Sequence, residues 1–166
     1  MIITRTPYRI PLAGGGTDLD FYYKKRGGLF ISATFNQFVF AIILRRQIDD
    51  KVLIQTTDTQ FARSTNQVKH GIIREILKFF KIKNKIQVGT FATLPTSSGL
   101  GSSSSLIVGI IFGLSKMLRI KLSKKKIAKI AIFIERKKLK FQGGWQDQII
   151  SSYGGINKIK ISKKGQ

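Results

Sequence analysis

Pro95-Thr96-Ser97-Ser98-Gly99-Leu100-Gly101-Ser102-Ser103-Ser104-Ser105 runs without a break into the apolar stretch Leu106 to Leu118, which has the length of a helix, not a strand. Small residues thus stand at a helix N-terminus, where backbone N–H groups lack intrahelical partners and the macrodipole is positive. Gly99 and Gly101 allow positive φ and a close approach of main chain to a ligand. The serines Ser102 to Ser105 add hydroxyl donors, and any of them is able to cap the helix. The pattern suits an anion, with phosphate the usual guest. The plainer reading is a Ser/Gly linker that precedes a helix, since short Gly/Ser motifs have many false positives.

Outward from this loop, Leu106 to Leu118 is apolar nearly all round, which predicts burial on several sides, and Gly109 and Gly113 leave room for a closely packed neighbour. Upstream, Ile86 to Phe91 reads as a strand feeding the loop. Downstream, Ser123 can cap a helix whose stripe is Ile127, Ile130, Ala131 and Ile134. Glu135 continues the row of Ala128 and Ile132 at the edge of that stripe. It is either an exposed partner of Lys138, worth tenths of a kcal/mol, or a partly buried carboxylate awaiting a cation. Phe141 to Gly144 ends the helix. A short helix from Trp145 to Tyr153 follows, closed by Gly154-Gly155, and Ile156 to Ile161 alternates like an exposed strand.

At the other end, Ile2 to Thr6 reads as a short strand stopped by Pro7. The three glycines Gly14, Gly15 and Gly16 force a sharp, open turn. Asp18 follows them, either to bind sugar hydroxyls or to cap the helix expected over Leu19 to Lys25. Leu29 to Arg45 suggests two strands with a turn near Asn36; Asp49-Asp50 marks another turn before a strand over Val52 to Thr56. Gln67 to Phe80 has helical periodicity, and His70 on it reads as a solvated surface residue, not a catalyst.

With 166 residues and 42% hydrophobic content the chain reads as one globular domain. The absence of cysteine excludes disulfides and Cys-based metal sites. Neither a signal peptide nor a run of transmembrane length is evident, so a cytoplasmic protein is the expectation. Thirty Lys+Arg against eight Asp+Glu give a net charge of +22. That charge fits nucleic-acid binding, or lysine as surface filler whose field aids an anionic substrate. No zinc-finger spacing, RNA-binding aromatic motif or helix-turn-helix accompanies it, which favours the second reading.

Two motifs in order, Pro7-Tyr8-Arg9-Ile10-Pro11-Leu12-Ala13-Gly14-Gly15-Gly16-Thr17-Asp18 and Leu94-Pro95-Thr96-Ser97-Ser98-Gly99-Leu100-Gly101-Ser102-Ser103-Ser104, followed by Gly144-Trp145-Gln146-Asp147-Gln148, resemble the GHMP kinase superfamily of galactokinases, homoserine kinases and mevalonate kinases. Ala13-Gly14-Gly15-Gly16-Thr17-Asp18 and Gln146-Asp147-Gln148 look most like the heptose 7-phosphate kinase branch, with fucokinase- and galactokinase-like enzymes as competitors. The resemblance implies an α+β fold, a mixed sheet backed by helices and akin to a ribosomal-protein domain. That kinship keeps an RNA- or polyanion-binding alternative open.

The resemblance also implies an ATP-dependent sugar kinase using Mg²⁺ and acting on a sugar or sugar phosphate. Pro95, Ser97, Ser98, Gly99, Leu100, Gly101, Ser102, Ser103 and Ser104 match its ATP-binding loop, and Ser103 and Glu135 its magnesium ligands. Asp147 matches the catalytic base and Arg9 the arginine that orients it. Arg9, Gly14, Gly15, Gly16, Thr17 and Asp18 match substrate-binding positions. No P-loop pattern with its lysine is present, so backbone N–H groups and Mg²⁺ are left to hold the phosphates. Family members are roughly twice as long. The expectation is an N-terminal ATP-binding domain over 1–166 without the C-terminal domain, whose role could fall to a separate chain.

Overall fold

The computed structural model describes residues 1–95 and 98–165. Its spine is β2 (Gly28–Arg45), an unbroken strand where two strands and a turn were expected. Along one edge of β2 runs β1 (Ile2–Ala13), antiparallel, which continues past Pro7 instead of ending there. β1 lies at the sheet's edge, where proline's missing N–H costs no ladder bond. Asn36-Gln37 marks a bulge, not a turn. Pro7 pairs with Phe38 but Arg9 with Thr34, so Phe35 to Gln37 stand opposite Tyr8 alone.

The other edge of β2 is shared. Its first part pairs with β6 (Ile156–Ile161) and its last part with β5 (Ile86–Ala92), both antiparallel. β5 pairs in parallel with β3 (Val52–Gln55), and β3 pairs antiparallel with β4 (Thr59–Ala62), a strand the sequence reading did not anticipate. The sheet is therefore mixed, and the expected α+β class holds.

Five helices accompany the sheet among the described residues: α1 (Asp20–Arg26), α2 (Gly71–Phe79), α3 (Ser102–Met117), α4 (Lys124–Ile132) and α5 (Gln146–Tyr153). α3 lies at the centre, with Ile107, Ile110, Ile111 and Leu114 fully buried. Its two glycines face the sheet as expected. A Cβ on Gly109 would come 2.6 Å from Thr6 Oγ1, and one on Gly113 would come 2.6 Å from Ile43 Cδ1. Ser123 caps α4 by accepting from Lys126 N–H. A smaller cluster of Tyr23, Phe30, Ile150 and Ile161, with Trp145 against it, anchors α1 and α5 to the β2–β6 ladder.

His70 is not the solvated residue expected. It is half-buried at the N-cap of α2, Nδ1 accepting from Ile73 N–H at 3.5 Å, and burial pulls its pKa down. Among the described residues no helix is long and apolar enough to cross a membrane.

Candidate active site

The site gathers where β1, the loop before α3, the end of α4 and the start of α5 meet. Two consecutive residues of β1 pin that loop at both ends. Buried Tyr8 donates its hydroxyl to Leu94 O at 3.3 Å. Arg9 donates its backbone N–H to Leu100 O at 3.2 Å and its Nη1 to Gly99 O at 2.9 Å. The loop then enters α3 through Gly101, whose left-handed φ of 82° is costly for any residue with a Cβ.

Gly101 is the N-cap and brings no side chain to the first turn, so no serine caps the helix. The hydroxyls go elsewhere. Ser105 Oγ donates to Pro7 O at 2.9 Å, while Ser103 and Ser104 turn toward Glu135. Among the described residues the N–H groups of the first turn have no side-chain acceptor, the arrangement that favours an anion. Pro95, Ser98 and Gly99 are exposed on the approach to this turn. Ser97 lies outside the described residues.

Asp147 sits in the first turn of α5, against Gly101. Arg9 binds it from 138 residues away in sequence, Nε at 2.7 Å and Nη2 at 2.6 Å, both to Oδ1. Asp147 Oδ2 carries no hydrogen bond among the described residues and faces Gly101, whose Cβ would lie 3.2 Å from it. Burial pushes the Asp147 carboxyl above its ordinary pKa; the Arg9 guanidinium pulls it back and the Asp18 charge adds a smaller push.

Asp18 does not cap the helix that follows it. That helix starts from Leu19 without a side-chain cap. Instead Asp18 Oδ2 accepts from the N–H groups of Trp145 at 2.7 Å and Gln146 at 2.9 Å, and so caps α5, the helix bearing Asp147. Its Oδ1 has no hydrogen bond among the described residues. The loop ahead of it is a turn, with Gly14 and Gly16 at φ of 74° and 81°. Thr17 locks that turn to β2, its hydroxyl 2.7 Å from Gly14 O and 2.8 Å from Leu29 O, while it accepts from Leu29 N–H. Gly15 has open space around it.

Glu135 is buried at 8% exposure and stands on a single π turn, Phe133–Lys138, that widens the end of α4. Oε1 accepts from Ser103 Oγ at 3.1 Å; Oε2 accepts from Ser104 Oγ and from Gln148 Nε2, each at 2.7 Å. All these donors are neutral, and no Lys, Arg or His pairs with Glu135 among the described residues. A buried carboxylate without a cation beside a free helix N-terminus fits a divalent ion that takes few protein oxygens and keeps its waters. Among the described residues no cluster of three or more His, Cys, Asp or Glu offers a cage that would replace those waters.

Arg9 thus binds Asp147, Asp18 caps the helix that carries Asp147, and Ser103 bonds Glu135. Tyr8, Ser104 and Gln148 were missed as supports. Gln148 stands in the Gln146-Asp147-Gln148 motif, but nothing in the sequence assigned it a contact with Glu135.

Residues 66–155 match the GHMP kinases N terminal domain. The chain is 34% identical to the D-glycero-alpha-D-manno-heptose 7-phosphate kinase of Campylobacter jejuni, across 94% of this chain and 49% of that protein. Its fold superposes with a TM-score of 0.93 on a D-glycero-D-manno-heptose 1-phosphate kinase from Bacteroides thetaiotaomicron, at 26% identity over 100% of this chain and 58% of that one. It superposes with a TM-score of 0.84 on a putative sugar kinase from Campylobacter jejuni, at 32% identity over 99% of this chain and 53% of that one. The chain therefore spans about half the length of these relatives.

Proposed function

This chain belongs to the GHMP kinases, matching their N-terminal domain, and we propose that it forms the nucleotide- and acceptor-binding half of an ATP-dependent sugar kinase. The acceptor is a hydroxyl of a sugar or sugar phosphate, with heptose 7-phosphate the favoured choice over fucose- or galactose-like sugars. One observation carries the reading. A single guanidinium, that of Arg9, holds both the Asp147 carboxylate and the carbonyl of Gly99 in the loop that leads into α3. Acceptor base and phosphate loop are thereby fixed to each other, as phosphoryl transfer requires.

In this reading the N–H groups of the Gly101 to Ser104 turn hold the ATP phosphates, with Ser98, Gly99 and Leu100 lining the approach. Ser103 and Glu135 would hold Mg²⁺, which would supply positive charge to offset that of the phosphates. Asp18 Oδ1 and the open backbone of Gly14 to Thr17 bind acceptor hydroxyls. Asp147 Oδ2, the oxygen that Arg9 leaves free, takes the proton of the attacking hydroxyl, and Arg9 balances the charge that develops. The greater length of the relatives supports a second domain that completes the nucleotide pocket, on the same polypeptide or another chain.

Calorimetry with ATP and an uncleavable analogue, with and without Mg²⁺, tests the reading. Binding is expected to need Mg²⁺ and to weaken at least about tenfold in Gly101→Val, because the new side chain would press on Asp147 Oδ2 and Arg9 Cγ from a left-handed backbone. Unchanged binding in that variant would remove the loop from the nucleotide site. The net charge of +22 motivates a rival, polyanion-binding reading; tight, selective binding of structured RNA at physiological salt would favour it.

A further inference from the structure

We propose that Gln148 is a positioning residue that clamps Glu135 so that one carboxylate oxygen is presented to the metal ion; the inference rests on the reading of Ser103 and Glu135 as cation ligands. The two oxygens of Glu135 are treated unequally. Oε2 is tied down by two short hydrogen bonds, from Ser104 Oγ and Gln148 Nε2, each 2.7 Å. Among the described residues Oε1 meets only Ser103 Oγ, at 3.1 Å. A carboxylate fastened through one oxygen leaves the other to coordinate, and its rotamer no longer has to be found when the ion arrives.

The orientation of the Gln148 amide follows from chemistry. A carboxylate only accepts, so the NH₂ end must face Glu135. The same Nε2 lies 3.2 Å from Ser104 Oγ, which closes a triangle of donors over Oε2. Gln148 is 3% exposed, and its Oε1 is buried without a hydrogen-bond partner among the described residues. A glutamine serving packing alone would have both ends satisfied or be replaced by an apolar residue. With its Nε2 gripping the proposed metal ligand and its Oε1 left unsatisfied, the Gln148 amide is placed for its contact with Glu135 and not to satisfy its own hydrogen bonds. Because Gln148 adjoins Asp147 in α5, one helical turn sets the base and, through Glu135, the cation.

Mn²⁺ binding in the presence of ADP, followed by electron paramagnetic resonance on the full chain, is the test. Gln148→Met keeps length and volume but cannot donate. It is expected to lower Mn²⁺ affinity by about tenfold or more while circular dichroism and thermal unfolding stay near wild type. Ser104→Ala should act in the same direction, and the double variant should lose less than the two single losses combined, since both grip one oxygen. Should the Met variant fail to fold, Gln148→Asn, which withdraws the amide by one methylene, is to show the same loss. Wild-type Mn²⁺ affinity in a folded Gln148 variant overturns the positioning role. Glu135→Gln separates the two layers. If it loses Mn²⁺ while Gln148→Met does not, only the clamp is wrong. If Glu135→Gln keeps wild-type Mn²⁺ affinity, or the wild type takes up no Mn²⁺, the ligand reading falls as well.

Discussion

Asp147→Asn is expected to cut phosphoryl transfer to the sugar by at least about a hundredfold while ATP affinity stays within a few fold. Asparagine keeps an oxygen where Arg9 needs an acceptor, so the guanidinium still holds the loop through Gly99 O. What disappears is the second, unbonded carboxylate oxygen beside Gly101, the atom assigned to the acceptor's proton. Turnover is measured with the second domain supplied where the chain alone is inactive, and binding by calorimetry on the same sample. An equal loss of binding and turnover would assign Asp147 to structure alone.

The same carboxyl predicts a pH profile. Burial raises its pKa and Arg9 opposes the rise. A base acts deprotonated, so the acid limb of kcat should lie above the usual carboxylate range. Arg9→Met removes the lowering partner and should move that limb to still higher pH. A limb that stays in place would detach Arg9 from the titration.

Gly144→Ala is expected to lower stability by about 3–5 kcal/mol. The backbone at Gly144 is not in the left-handed region, so local conformation would accept alanine. Space would not, because a Cβ there would fall within the Asp18 carboxylate. Asp18 is 4% exposed and accepts from two backbone N–H groups of the Gly144-Trp145-Gln146 entry to α5. Displacing it uncaps the helix and leaves a buried charge with fewer donors. Thermal or denaturant unfolding reads this directly. A near-wild-type midpoint would mean that the carboxylate moves aside freely, and that the cap contributes little.

Local signals made much of this legible in the sequence. The Gly/Ser turn before an apolar helix, the Ser123 cap and the glycine pair of α3 need only neighbours a few residues apart. Glu135 was legible as a polar residue on an apolar row, though the π turn that carries it was not. Edges and registers were less accessible. Pro7 reads as a strand stop unless β1 is known to be outermost, and Asn36-Gln37 reads as a turn unless the partner's register reveals a bulge. The links from Arg9 to Asp147 and from Asp18 to α5 join residues 138 and 127 positions apart. Only the family resemblance, not periodicity or composition, brought the first of these into view.

With the glycine turn binding the acceptor and Asp147 acting as base, as proposed, the cap that Asp18 places on α5 would tie selectivity to speed. A change in the glycine turn made to admit a different sugar would be transmitted through Asp18 to the helix that carries Asp147. Exchanging residues 13–18 for those of another sugar kinase should therefore depress kcat for every acceptor, including the one the graft was meant to favour. Recovery would require the Gly144 to Gln146 segment to be transplanted with it. On that reading, residues 13–18 and 144–147 would act as one unit, and a change of specificity would call for paired replacements at both ends.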